Sequence, residues 1–240
     1  MTSSDKLRAA YLSRVSEHET MSKNSKTRRD NKKKSRNKLS RQPAGNKLAG
    51  LSHHQVTKGL QKLFAPTKLT VPAELNEDIR SFCRSISEIE PFFLEVEPEL
   101  WSRQSSCNLN VREYIRLNGG EMICGYKIWY HKPKYIEAER HAIWVKDAQY
   151  KDISFNADGE SRILFLPDSP ERQSALDQNK HRFRWGKDST TRQLIEVQQY
   201  AESNVSMQKM SEDAAWNKGL TYEAWEKGQR MPSIITALRS

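Results

Sequence analysis

The sequence predicts an α+β protein. An antiparallel sheet of about four strands packs against a cysteine-bearing helix, a helical C-terminal extension follows, and a disordered basic arm precedes. Three observations lead there. Strand-like runs at 121–130, 136–145, 150–155 and 162–166 follow one another, with the turn candidate Lys146-Asp147-Ala148-Gln149 between the middle pair. Just before them, Val111, Tyr114 and Ile115 give an apolar stripe at helical spacing behind Cys107. The charge is also segregated: residues 1–60 hold fifteen Lys/Arg against four Asp/Glu, whereas the rest of the chain is nearly balanced although the whole carries +10.

A chain of 240 residues accommodates one sizeable domain with appendages or two small ones. The boundaries read from composition are an arm and linker at 1–72, the α+β core at 73–170 and the helical extension at 171–240. No run of about 18 apolar residues occurs, so no membrane span is expected. The N-terminus lacks the apolar core of a secretory signal, which makes a cytoplasmic location the expectation. Cys83, Cys107 and Cys124 are odd in number and form no CxxC pair, so neither a disulfide framework nor a thiolate zinc site is indicated. No metal and no cofactor is expected.

Residues 1–20 have Leu7, Tyr11, Leu12 and Val15 at helical spacing, a short amphipathic pattern that is marginal without a partner. Between Lys23 and Arg41 lie ten Lys/Arg and a single acid, Asp30. Such a run repels itself and buries almost nothing, so disorder is the expectation. Lys26, Arg28, Arg29, Lys32, Lys33, Lys34, Arg36 and Lys38 are its candidate contacts to nucleic acid or another polyanion. A solubilising tail is the competing reading, because no aromatic residue in the run is available to stack on bases. Residues 42–73 read as a Pro- and Gly-marked linker with a hint of helix near Val56, and His53-His54 as solvated loop residues without metal partners. Leu75, Ile79, Phe82, Cys83 and Ile86 mark a helix over 74–90 that places Cys83 in the core. Residues 91–98 alternate as an extended segment. Beyond Asp168, residues 169–189 read as polar loop and 190–203 as a helix. Short helices follow, broken near Gly219, with Trp216, Tyr222 and Trp225 as packing anchors.

The chemistry centres on Cys107. Ser105-Ser106 offers an N-cap hydroxyl, and Asn118-Gly119-Gly120 offers a C-terminal stop, so the thiol falls in the first turn of a helix. Unpaired amides and the helix dipole there favour a thiolate. If Asp147-Ala148 centre a hairpin turn, His141 faces Ser154 and Ile143 faces Asp152, which makes His141 and Asp152 diagonal neighbours on one face. Cys107 then serves as nucleophile, His141 as general base and acid, and Asp152 as the group that orients the imidazole. The Cys107 amide is a natural oxyanion donor. Asn110, one turn on, is a candidate substrate contact.

A helix-borne Cys followed by a strand-borne His and a polar third group on the next strand resembles the papain-like fold, in the layout of the NlpC/P60 and transglutaminase-like cysteine enzymes. The likeness covers roughly residues 100–168. It implies a thiol hydrolase or acyl transferase acting on a peptide-like amide or ester bond, and it names no substrate. The pattern C-x-x-N-V, GG, G-Y-x-I-W, E-A-E-x-H-A-x-W, D-I and I-L-F-L-P-D also resembles an uncharacterised bacterial family whose members sometimes carry an SEC-C-type zinc motif; this chain has no such cysteine cluster. Two other readings stand beside the enzyme. One is a non-enzymatic nucleic-acid- or ribosome-associated protein that uses its basic arm. The other takes Glu137, Glu139, His141 and Asp152 as a hard-metal cluster.

Overall fold

The computed structural model describes residues 52–63, 69–169, 182–203 and 211–231. The basic run and its eight candidate contacts lie outside the described residues, as does the helix expected at 1–20. In chain order the elements are α1 (His53–Leu63), α2 (Glu77–Arg84), β1 (Phe92–Glu95), α3 (Cys107–Asn118), β2 (Glu121–His131), β3 (Tyr135–Lys146), β4 (Gln149–Lys151), β5 (Arg162–Pro167), β6 (Arg182–Gly186), α4 (Ser189–Ser203), α5 (Glu212–Lys218) and α6 (Tyr222–Glu226). The α+β class stands, with a larger sheet than expected: six strands, ordered β1-β5-β2-β3-β4 with β6 added to β3, all ladders antiparallel.

The β2–β3 hairpin is the spine, paired without interruption from Glu121↔Val145 to His131↔Tyr135. Alternate residues Tyr126, Ile128, Tyr130, Ile136 and Ala138 bury together with Ile79, Phe82 and Cys83 of α2. That helix starts where the Asn76 side chain accepts the Ile79 N–H at 3.0 Å. Cys83 is fully buried, and burial pushes its thiol up to about 12. A second cluster joins Ile143, Ile163 and Phe165 with Phe92, Leu94 and Val96. The sheet curls until its two edges meet at one point: Val96 bridges Asp152 in parallel, and the Glu97 N–H donates to the Asp152 carbonyl at 2.8 Å.

The turn between β3 and β4 sets the register on which the site depends. Trp144 faces Lys151, Val145 faces Tyr150 and Lys146 faces Gln149, as expected of a turn centred on Asp147-Ala148. Both turn residues are left-handed, with φ of 48° and 62°. A type I′ geometry of this kind favours Asn-Gly, and alanine is strained in it. Ala148→Gly is therefore expected to raise the unfolding free energy by about 1 kcal/mol. A urea-melt midpoint that fails to rise would contradict this.

Several expectations are corrected. The stretch at 169–189 is not all loop: Arg182–Gly186 is strand β6, held on β3 from Tyr135↔Gly186 to Glu139↔Arg182. The linker at 42–73 contains the eleven-residue helix α1, with His53 and His54 in its first turn rather than in a loop. Its Leu60 and Leu63 cluster with Tyr135 and with Leu194 and Ile195 of α4. The helix expected at 74–90 is shortened to α2. The C-terminal aromatics do anchor: the Trp216 ring lies 6.1 Å from Trp101, and Tyr222 and Trp225 lie 5.2 and 5.7 Å from Phe155. No described helix is long and apolar enough to cross a membrane.

Candidate active site

Cys107 is the first residue of α3. Along this helix, Cys107, Val111, Tyr114 and Ile115 recur at helical spacing and cluster with Ala142, Trp144 and Ile153, Val111 being wholly buried. The helix stops at Gly119, whose φ is 69° and whose N–H donates to the Ile115 carbonyl at 2.7 Å.

The start of α3 differs from expectation. Neither serine supplies a cap: Ser105 is left-handed with φ 59°, and the Ser106 hydroxyl donates to the Gln104 carbonyl at 3.4 Å rather than accepting from the helix. A capping oxygen would have occupied an amide of the first turn. Without it, the first-turn N–H groups and the positive end of the helix dipole face the region around the sulfur.

His141 arrives from β3. This strand is flanked on its outer edge by β6 along Tyr135–Glu139 and by β4 along Trp144–Lys146. Between them, residues 140–143 have no strand partner on that edge among the described residues. Cys107 packs beside Ala142 at this point of the strand, and interaction with the His141 imidazole and the Ala142 N–H draws its ionisation down. His141 Nε2 lies 3.0 Å from Asp152 Oδ2. Asp152 is fully buried and doubly held: its backbone by the bridge to Val96, its Oδ1 by the Ser154 N–H at 2.9 Å.

The electrostatics follow from these contacts. Burial by itself pushes the imidazole toward its neutral form, but the Asp152 carboxylate, by charge and hydrogen bond, and the Cys107 sulfur outweigh it and hold His141 up at about 9. Burial likewise opposes a Cys107 thiolate; the hydrogen bonds from His141 and Ala142 prevail, and the thiol ionises below the ordinary range. The two shifts together favour a thiolate–imidazolium pair. Because the folded imidazole titrates above its ordinary 6.5, its contribution to stability is complete below about 6.5 and disappears as pH rises through about 9. Asp152→Asn removes the charge that raises it. The stability gap between wild type and this variant is expected to close as pH climbs from about 6.5 to about 9. A gap constant across that window in thermal melts would disprove the coupling.

The structure brings Cys107, His141 and Asp152 together and places Asn110 elsewhere. Asn110 is fully buried, and its amide is taken up by Arg103 and Ser154, so it does not face outward as a substrate contact. Glu137 and Glu139 are likewise engaged by protein partners. Arg184 Nε donates to Glu137 at 2.9 Å, while Arg182 Nη2 and Trp129 Nε1 donate to Glu139 at 2.8 and 3.1 Å. No metal-binding group of three His, Cys, Asp or Glu occurs among the described residues. The Ala142 N–H carries no sequence signal, whereas Ser154 had one, since the turn register places it opposite His141. A cleft of about 770 Å³ lined by Leu63, Thr70, Tyr130, His131, Lys134 and Thr191 lies at the other end of β3 and includes none of the three. Comparison with protein families, with curated proteins and with solved structures gives no match.

Proposed function

We propose that the protein is a cysteine-dependent hydrolase or acyl transferase acting on a peptide-like amide or ester bond, built on a papain-like arrangement of a thiol helix packed on an antiparallel sheet. The observation that carries the proposal is the buried His141–Asp152 pair, Nε2 to Oδ2 at 3.0 Å, with Cys107 of α3 packed on the same strand beside Ala142.

In the reaction the Cys107 thiolate attacks the acyl carbon, and its electron pair forms the C–S bond while the carbonyl π pair moves onto oxygen. The uncapped amides at the start of α3 face the developing oxyanion. As the tetrahedral species collapses, the His141 imidazolium gives its proton to the departing amine or alkoxide, leaving a thioester. The neutral imidazole then takes a proton from water, or from an acceptor nucleophile, which attacks the thioester and releases Cys107. Asp152 holds the ring throughout. Cys83 and Cys124 are buried and take no part.

Alkylation of each cysteine, followed by peptide mass spectrometry, tests the proposal. At about pH 6, Cys107 is expected to react at least about tenfold faster than either buried thiol, with a pH midpoint below the ordinary ~8.5. His141→Ala is expected to move that midpoint upward by about one pH unit or more. A Cys107 that titrates as an ordinary thiol, unchanged by loss of His141, sinks the reading.

A further inference from the structure

We propose that Asn110 is a positioning residue that sets the Cys107 thiol against the His141–Asp152 pair, acting through Arg103 and Ser154. This rests on Cys107 being the nucleophile and adds a requirement to that reading.

Asn110 sits one turn after Cys107 on α3 and has no exposed surface. Its Oδ1 accepts the Arg103 N–H at 2.7 Å, and its Nδ2 donates to the Arg103 carbonyl at 2.8 Å and to Ser154 Oγ at 3.1 Å. The first two bonds grip both backbone groups of Arg103, as a paired strand residue would. They pin the loop that runs through left-handed Ser105 into Cys107. The third fastens the same helix to the segment following Asp152, whose Oδ1 accepts the Ser154 N–H. One side chain therefore touches the loop before the thiol and the residue that orients the acid.

The C-terminal segment closes on the same loop from outside. Arg103 Nε donates to the Trp216 carbonyl at 3.0 Å, the Tyr222 N–H donates to the Ser102 carbonyl at 2.9 Å, and the Gln104 N–H donates to the Leu220 carbonyl at 2.9 Å. The loop is thus fixed from both sides. Inside the molecule, Asn110 ties it by hydrogen bonds to Ser154, beside Asp152. A buried amide satisfied on every side has a single orientation, so it defines the spacing of the elements it joins. A hydrogen bond between a thiolate and an imidazole depends steeply on distance and angle. Loosening the Asn110–Ser154 tie weakens that bond, and the change appears in the ionisation of Cys107.

The test is the pH profile of iodoacetamide alkylation at Cys107 in the full chain, measured with the melting temperature, for wild type, Ser154→Ala, Asn110→Ala and His141→Ala. Ser154→Ala retains the backbone N–H on Asp152 and removes only the tie, so it keeps the test open if Asn110→Ala fails to fold. The expected result is an upward shift of the Cys107 midpoint by about half to one pH unit in Ser154→Ala, with slower reaction at about pH 6 and an unchanged rate at alkaline pH. A purely structural role lowers the melting temperature and leaves this profile in place. If only His141→Ala moves the profile, the nucleophile reading stands and the role of Asn110 is overturned. If wild type and His141→Ala both behave as ordinary thiols, the nucleophile reading falls and this inference falls with it.

Discussion

Asp168→Ala is expected to lower the unfolding free energy by about 3–5 kcal/mol, as is usual when one partner of a buried ion pair is deleted. Arg140 Nη1 meets Asp168 Oδ2 at 2.5 Å, with the side chains 5% and 0% exposed, which is why the surface-pair value does not apply. Arg140 has few alternatives. Its Nη1 has the Gly125 carbonyl at a long 3.4 Å, its guanidinium lies 5.0 Å from the Tyr126 ring centroid, and its Nε and Nη2 make no hydrogen bond. Without the carboxylate, a full positive charge would stay buried against an aromatic face. The contrast is Arg140→Met combined with Asp168→Leu, which removes both charges and is expected to recover most of the loss. Urea denaturation of the three chains decides. A loss below about 1 kcal/mol in Asp168→Ala would mean that the pair is solvated and the argument wrong.

Gly120→Ala is expected to cost about 2–4 kcal/mol, and Gly119→Ala only about 1 kcal/mol. Both glycines have positive φ, of 95° and 69°, so both alanines are strained. They differ in what the new carbon meets. At Gly119 the nearest atom is the movable tip of Lys146 at 3.7 Å. At Gly120 a Cβ would lie 2.4 Å from Trp144 Nε1 and 2.7 Å from the Val145 carbonyl oxygen. The backbone oxygen cannot move away without disturbing the β2–β3 ladder. The indole would also surrender its hydrogen bond to the Gly119 carbonyl, now 2.8 Å. Denaturant melts of the two variants compare the costs directly, and equal losses would show that the crowding is relieved at no expense.

The placement of His141 and Asp152 was legible because it depends on one turn. Asp147-Ala148 sets the β3–β4 register, and alternation does the rest. The thiol was legible for a similar reason, since a helical stripe and a Gly-Gly stop bracket α3. What was hidden depended on partners distant in sequence. Strand β6 reads as polar because of Arg182 and Arg184, yet those charges sit opposite Glu139 and Glu137, and Phe183 and Trp185 pack on the core cluster. Helix α1 shows only a weak stripe because Leu60 and Leu63 are completed by Leu194 and Ile195, more than a hundred positions away by number. The serines before Cys107 looked like caps because composition does not reveal that Ser105 turns left-handed. Asn110 looked like a site contact because its spacing from Cys107 is one turn, whereas the tie to Arg103 and Ser154 draws it inward.

The imidazole–carboxylate pair is separated by eleven positions and a two-residue turn, whereas the thiol lies on the far side of strand β2. Local pairs close early at small entropic cost, and distant ones wait for the rest of the chain. Pairing His141 with Asp152 thus closes a short loop, whereas seating Cys107 against them closes a longer one at greater entropic cost.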